Sequence, residues 1–287
     1  MFINQSLEQA WRHAASLLTK SDSATLDAQL LLLAAIERES RIYLMTYPET
    51  LLTFEQADKF TQLIEQRLTG KPVAHILGIR EFWGLPIQVN PSTLIPRPDT
   101  ETLIDTVLEK YRDRINEPLT VLDLGTGTGA IALALKSECP NWQVHAVEFN
   151  PDAFQLAISN SQKLSLDIEL HLGSWFSALP KNFPLKFDLI VSNPPYIDEN
   201  DPHLNQGDVC FEPKSALVAD NQGLSDIELI THQAKGFLKP SAYLMFEHGY
   251  QQADLVQNIF QSEGYSAIET IKDIAENDRV TLAQNLS

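Results

Sequence analysis

The residues Asn193-Pro194-Pro195-Tyr196 combine groups that can hold a planar nitrogen for reaction. The Asn193 side-chain oxygen can accept one N–H of such a nitrogen, and the Pro194 carbonyl can accept the other. Proline fixes φ and carries no competing donor, so the two prolines would hold that carbonyl in place, and Tyr196 can stack on the planar group. Because the lone pair of a conjugated nitrogen is delocalised, this tetrad predicts methyl transfer to a poor nucleophile by orientation and charge stabilisation, without a dedicated general base.

A second candidate is the glycine-rich run VLDLGTGTGAIALAL at residues 121–135, which predicts a strand, a tight turn and the start of a helix. Such a turn suits either S-adenosylmethionine or a dinucleotide, since it also fits the pattern G-x-G-x-x-A. Asp123 favours S-adenosylmethionine, because a carboxylate there can face a cation but would oppose a pyrophosphate. Glu148 is placed to accept hydrogen bonds from both ribose hydroxyls. Trp175 is interpreted either as a surface for adenine or as a core tryptophan.

These residues need a sheet that brings strand ends together. From residue 120 onward, apolar runs alternate with helical segments, which indicates five parallel strands. The last two runs are too close for a crossover helix, so they predict an antiparallel hairpin. This seven-stranded, Rossmann-like sheet fits the class I S-adenosylmethionine-dependent methyltransferases, an α/β fold. The predicted strands are Thr120–Leu124, Val144–Glu148, Ile168–Leu172, Phe187–Val191, Ala242–Glu247, Ala267–Ile271 and Arg279–Leu282.

The chain before this sheet differs in character. Residues 1–72 show helical periodicity, a capping box at Thr53 and Gln56, and a stop signal at Gly70 and Pro72. They predict a small helical domain, either a plain bundle or one that recognises a macromolecular substrate. Residues 73–98 predict a linker with a β-hairpin, and residues 99–287 the Rossmann-like domain.

Composition narrows the class of protein. The net charge of −17 argues against a duplex-binding protein, because such proteins gain affinity from Lys and Arg. The longest apolar run, Leu30–Ile36, is too short for a membrane span, and no signal peptide is evident. Cys139 and Cys210 suggest free thiols in a reducing compartment, so we expect a cytoplasmic protein. The seven histidines form no cluster in the sequence, so we expect no metal site; we also expect a monomer.

Several dispersed stretches resemble the PrmC/HemK family, which methylates the glutamine amide in the Gly-Gly-Gln motif of peptide chain release factors. The combination of IPRPDTE with NPPYI is specific to that family, and the resemblance covers the chain from the first helices to the last strand. The matching stretches are PVAHILGIREFWGL, TLIPRPDTE, LDLGTGTGAIALAL, VSNPPYI, DPHLNQGDVCFEP and NDRVTL.

The resemblance implies specific roles. It implies that Asn193 to Tyr196 hold the substrate glutamine, and that Arg97, near the mouth of the site, has either a structural or a ligand-binding role. It implies that the helical domain and the linker grip class 1 release factors, and that residues 198–224 form a polar wall or lid. The implied contacts of S-adenosylmethionine are Gly125, Thr126, Gly127, Thr128, Gly129, Glu148, Trp175 and Asn193.

Three positions depart from the family pattern. Glu148 stands where an aspartate is common, and Ala275 where a glycine is frequent in the last hairpin. Ala219-Asp220-Asn221 lies where a glycine pair is common, so the conformation of that loop is not predicted.

Three other functions compete. An adenine-N6 methyltransferase on DNA or RNA would also use such a tetrad, but it predicts a basic face. A scaffold that only binds cofactor and partner would not need both motifs. An NAD-dependent enzyme would need a site for hydride transfer, which is not evident.

Overall fold

The computed structural model describes residues 1–180, 183, 186–205 and 207–286, which form two compact units. The first unit comprises Met1–Ile79 together with Asn205–Phe211. The second comprises Arg80–Leu204 and Glu212–Ser287. Each unit has buried apolar clusters of its own.

The first unit is helical, as the sequence predicts. The capping box at Thr53 and Gln56 is confirmed, and Ser6 with Gln9 forms a second one. In the second helix Leu31 and Leu32 are fully buried, whereas Leu26 is exposed. The helices are α1 Leu7–Leu17, α2 Ala24–Ala35, α3 Arg41–Thr46, α4 Phe54–Leu68 and α5 Val73–Leu77.

An ion pair between Arg67 and Asp208 links residues 205–211 to the other residues of this helical unit. Arg67 donates to Asp27 at 2.7 Å and to Asp208 at 3.3 Å, and also to the carbonyls of Gly70 and Lys71. Arg67 and Asp27 are both largely buried, so removing either partner would leave an uncompensated charge. Part of the segment that we predicted as a wall of the site therefore belongs to the helical unit.

The segment predicted as a linker begins with helix α5, which ends at Gly78 in the left-handed conformation. A β-hairpin follows, as predicted, with strands β1 Ile79–Phe82 and β2 Leu85–Gln88. Trp83 and Gly84 connect them, both with positive φ, which matches the right-handed twist of a two-residue hairpin turn.

The second unit contains the predicted seven-stranded sheet, in the order β5-β4-β3-β6-β7-β9-β8. Neighbouring strands from β5 to β7 are parallel, whereas β9 is antiparallel to β7 and to β8. In the last hairpin the positive φ falls on Glu276 rather than on Ala275. The strands are β3 Thr120–Leu124, β4 Gln143–Glu148, β5 Glu169–Leu172, β6 Phe187–Ser192, β7 Leu238–Glu247, β8 Ser266–Lys272 and β9 Asp278–Gln284.

Helices cover both faces of this sheet. Leu189 and Val191 pack in one cluster with side chains of α6 and α7, while Ile190 packs in another with α10 and α11. No described helix is long and apolar enough to cross a bilayer. The carboxyl ends of β3, β4 and β6 meet at one edge, which is where such sheets bind ligands. The helices are α6 Glu101–Lys110, α7 Ala130–Glu138, α8 Pro151–Leu164, α9 Asp220–Gly223, α10 Ser225–Ala234 and α11 Ala253–Ser262.

Candidate functional site

A cavity of about 420 Å³ lies at the carboxyl edge of the sheet, in the second unit. Its size is within the roughly 300–1,000 Å³ that small-molecule sites occupy. The glycine loop, the end of β4, the turn after β5 and the start of the NPPY tetrad meet there. The predicted site residues that line it are Gly125, Thr126, Gly127, Thr128, Glu148, Trp175, Asn193 and Pro195.

Four of the five backbone N–H groups of the glycine loop, residues 125–129, are already hydrogen-bonded within the protein. Gly125 and Thr126 both donate to the Val147 carbonyl at 2.9 Å, and Gly127 donates to the Glu148 carboxylate at 2.8 Å. A loop that cradles phosphate needs such groups free to point at the ligand. These bonds therefore fit S-adenosylmethionine better than the pyrophosphate of a dinucleotide.

The charge of the cavity wall supports the same cofactor. Glu148 and Asp226 line the cavity, and none of the lining residues that the structure describes is Lys or Arg. A wall with two carboxyl groups and no cation suits the sulfonium and ammonium groups of S-adenosylmethionine, and it would repel a pyrophosphate.

Glu148 is the last residue of β4, and each of its carboxylate oxygens accepts a hydrogen bond from a backbone N–H group. One oxygen accepts from Gly127, and the other accepts from the Asn150 N–H at 2.8 Å. Each carboxylate oxygen keeps a lone pair for a further donor, such as a ribose hydroxyl. The next residue, Phe149, also lines the cavity and is 71% exposed. Sequence reasoning missed this aromatic side chain, although its position directly after a strand end could have indicated it.

Trp175 forms part of the wall beside the glycine loop. A Cβ on Gly125, whose φ is +74°, would lie 3.2 Å from the Trp175 ring, so only glycine fits there without displacement. Burial raises the pKa of Asp226, and a hydrogen bond with the Trp175 side chain opposes that shift. Asp226 comes from α10, far along the chain, and no local pattern in the sequence could have placed it here.

Asp123 does not line the cavity, but it holds the glycine loop through a hydrogen bond with Thr126. It is completely buried, and its Oδ2 accepts from the Thr126 hydroxyl at 2.6 Å. Burial raises the pKa of Asp123 to about 7, although the Thr126 hydrogen bond opposes the shift. Gly129, with a φ of 84°, precedes α7 and also lies outside the cavity lining.

The raised pKa of Asp123 predicts how stability depends on pH. The folded state holds this proton more tightly than an unfolded chain, where the pKa is about 3.9, so stability falls as pH rises from about 4 to 7. We expect Asp123→Asn to gain stability relative to wild type across that window. Urea unfolding of the cofactor-free proteins from pH 4.5 to 8 measures this. An exposed control, Asp113→Asn, should run parallel to wild type; parallel curves for Asp123→Asn would contradict the prediction.

Asn193 is oriented by a residue that sequence reasoning did not single out. Its Nδ2 donates to the Thr100 hydroxyl at 3.3 Å, which leaves its carbonyl oxygen to accept a hydrogen bond. Thr100 is buried and lines the cavity. No donor among the described residues is hydrogen-bonded to the Pro194 carbonyl. Asn193 and Pro195 line the cavity, whereas Pro194 and Tyr196 do not.

Tyr196 reaches instead into a buried polar cluster. Its hydroxyl donates to Glu247 at 3.3 Å, at the end of β7. Burial raises the pKa of Glu247 to about 7, while hydrogen bonding by the Thr100 side chain and the positive charge of Arg279 lower it. Thr100 therefore contacts both Asn193 and Glu247, which links the tetrad to the core of the sheet.

Arg97 also lies outside the cavity lining. It donates to Glu212 at 2.7 Å, and the Ile95 N–H lies 3.4 Å from the same carboxylate oxygen. The neighbouring residues Leu94 and Pro96 do line the cavity. The geometry therefore favours the structural alternative for Arg97, which holds the loop that forms this wall.

The short turn at residues 219–223, which contains α9, has a backbone conformation that a glycine pair would favour. Asn221 and Gln222 adopt the left-handed conformation, with φ values of 55° and 58°, which glycine would adopt without strain. Gly223 follows with φ +80°, and a Cβ there would lie 2.0 Å from the Tyr196 carbonyl oxygen. This loop therefore packs directly against the backbone of the tetrad.

Comparison with known proteins shows which family and which fold the chain resembles. Family models match residues 9–78, as a PrmC N-terminal domain, and residues 115–284, as a methyltransferase domain. The human Mettl16 catalytic domain, solved in complex with MAT2A 3'UTR hairpin 1, superimposes with a TM-score of 0.56. It is 18% identical and covers 81% of this chain and 80% of its own, which shows the fold alone.

Curated relatives are much more similar in sequence. The release factor glutamine methyltransferase of Vibrio cholerae is 49% identical over 282 residues, covering 97% of this chain and 96% of its own. That of Escherichia coli is 47% identical over 278 residues, covering 96% and 98%. With this identity over almost the whole length, the chain belongs to the release factor glutamine methyltransferase family.

Proposed function

We propose that the protein transfers a methyl group from S-adenosylmethionine to the side-chain amide nitrogen of the glutamine in the Gly-Gly-Gln motif of class 1 peptide chain release factors. One observation carries the proposal: the hydrogen bond to Thr100 turns the Asn193 carbonyl oxygen toward an acceptor role at the edge of an acidic cavity. The family to which the chain belongs supplies the substrate class. We place this activity in the cytoplasm.

The residues of the tetrad position the nitrogen. Bound S-adenosylmethionine supplies an electrophilic methyl group. The Asn193 and Pro194 carbonyl oxygens accept the two amide hydrogens. These hydrogen bonds fix the plane of the amide and stabilise the positive charge that develops on nitrogen. A nitrogen that has accepted a methyl group is acidic enough to lose its proton to water, so no residue of the chain acts as general base. Tyr196 would lie against the amide plane while its hydroxyl is anchored to Glu247.

The remaining cavity residues hold the cofactor. Glu148 receives the ribose hydroxyls, because its oxygens are fixed at the end of β4. Trp175 and Phe149 both line the cavity and can contact the adenine. The glycine loop, supported by Asp123, would hold the methionine portion.

The experiment that tests this function measures transfer from methyl-labelled S-adenosylmethionine to unmodified release factor. Duplex DNA and RNA are incubated in parallel, together with a release factor whose motif glutamine is replaced by alanine. Label on the intact factor that is lost with the glutamine supports the proposal. Label on nucleic acid alone would overturn it in favour of the adenine-N6 alternative.

The helical unit offers a surface for the protein substrate. Helix α3 and the residues after it expose large apolar side chains, which on a soluble protein mark an interaction site when they lie together. We propose that these side chains contact the release factor outside its Gly-Gly-Gln loop. They are Ile42, Met45, Tyr47, Leu51 and Phe54.

This role predicts a difference between substrates. In the double variant Ile42→Asp with Met45→Asp, we expect kcat/KM for the full release factor to fall by about tenfold or more, because each buried aliphatic side chain contributes roughly 1.5–3 kcal/mol. The value for a short Gly-Gly-Gln peptide should stay close to wild type. Ile274→Asp, at a fully exposed apolar residue of the other unit, serves as a control. An equal loss on both substrates would remove the recognition role.

A further inference from the structure

Two histidines and a glutamate meet on neighbouring strands of the sheet. His145 lies on β4, and Glu169 and His171 lie on β5. The register pairs His145 with Glu169 and Val147 with His171. Because side chains alternate along a strand, all three project from the same face. None of them lines the cofactor cavity.

Their donor atoms lie close enough together to bind one metal ion. His145 Nδ1 is 3.3 Å from His171 Nε2 and 3.5 Å from Glu169 Oε2. His171 Nε2 is 3.6 Å from Glu169 Oε1. An ion about 2.1 Å from each of two tetrahedral ligands holds those ligands about 3.4 Å apart. With one donor atom taken from each residue, the three atoms lie within 4.8 Å of one another, so one ion between them can reach all three side chains.

The surroundings suit such a site. Glu169 is 64% exposed on β5, the edge strand of the sheet, so an ion can enter from solvent. The Phe183 ring packs edge-on against both imidazoles, and the Phe187 ring against His145. These rings form an apolar wall that limits rotation of the ligands.

We propose that His145, Glu169 and His171 bind one divalent transition-metal ion of the zinc type, with water at the fourth position. Two imidazoles and one carboxylate suit Zn²⁺, whereas Mg²⁺ and Ca²⁺ prefer oxygen ligands. The ion would join the edge strand β5 to β4. The proposal departs from our expectation of no metal site, which rested on the sequence, where His145 and His171 are 26 residues apart.

Binding of Zn²⁺ to the full chain, free of any histidine tag, tests the proposal. After treatment with chelator, calorimetric titration with ZnCl₂ should show one equivalent bound and a melting temperature raised by about 5 °C or more at saturation. His171→Gln should weaken binding at least about tenfold and abolish the rise. Glu169→Gln, at an exposed residue that folding should tolerate, provides a second variant with the same expectation.

Two controls separate this cluster from other ligands. His232→Ala removes an exposed histidine that contacts Glu263 at 3.1 Å, and it should bind Zn²⁺ as wild type does. Cys210→Ser removes an exposed thiol and should also leave binding unchanged. Co²⁺ in place of Zn²⁺ should give the visible absorption of a tetrahedral complex. Absence of stoichiometric binding to the wild-type chain, or binding as tight as that of wild type by His171→Gln and Glu169→Gln, would overturn the proposal.

Discussion

Replacement of Asn193 with alanine is expected to lower kcat for release factor methylation by about 10²–10³-fold, the usual loss when one preorganised polar group at a reacting centre is removed. The substitution deletes the carbonyl oxygen that would accept an amide hydrogen of the substrate. It leaves the glycine loop and Glu148 intact, so binding of S-adenosylmethionine should weaken but stay measurable by calorimetry. Single-turnover assays with labelled cofactor measure the chemical step directly.

Thr100→Val tests the same hydrogen-bond acceptor with a smaller expected loss of kcat than Asn193→Ala. Valine keeps the shape of threonine but cannot accept the Asn193 hydrogen bond, so the amide loses its fixed orientation. We expect kcat to fall about tenfold with little change in KM, and Thr100→Ser to restore it. Thr106→Val, which removes a buried hydroxyl bonded within α6, serves as the matched control. Unchanged turnover in Asn193→Ala would refute the acceptor role, whatever the outcome at Thr100.

The order in which residues occur along the chain explains what the sequence could predict. The tetrad and the glycine loop are each one continuous run of residues, and each follows an apolar strand. The alternation of strands and helices in the sequence was therefore enough to predict that they meet at one edge of the sheet. The same alternation predicted the seven-stranded sheet and its antiparallel end, and the structure confirms both. The polar residues beneath the site could not be found this way. Glu247 and Asp226 come from elements far along the chain, and only the packed structure brings them near Thr100 and Trp175.

Two further features depended on information that local patterns lack. The pairing of His145 with Glu169 and His171 requires the exact register of β4 against β5, and a shift of one residue would separate their side chains. The bond that links residues 205–211 to the helical unit joins Arg67 and Asp208, which are 141 residues apart in the sequence. Arg97 illustrates the converse: the motif drew attention to it, but Pro96 and Thr100 of the same motif are the residues that line the cavity.

Gly223→Ala is expected to lower kcat by about 10²-fold, the cost of moving a reacting group by roughly 1 Å. The new Cβ would lie 2.0 Å from the Tyr196 carbonyl oxygen and 2.9 Å from the Gln252 side chain. Gln252 Nε2 donates to the carbonyls of Tyr196 and Gln222, both at 3.0 Å, so it binds the loop and the tetrad together. The clash must be relieved by moving one of these backbones, and either movement displaces the groups that hold the substrate amide.

Gly264→Ala separates this clash from the general cost of replacing glycine. Gly264 has φ +72°, close to the +80° of Gly223, but no atom lies within 4 Å of its ideal Cβ position. Both variants should therefore lose stability from the left-handed backbone, by about 1–2 kcal/mol, as thermal unfolding would show. Only Gly223→Ala should also lose turnover with the release factor. If both variants kept wild-type kcat, the close packing of residues 219–223 against the tetrad would have no part in positioning the substrate, because a displaced Tyr196 carbonyl would then be tolerated.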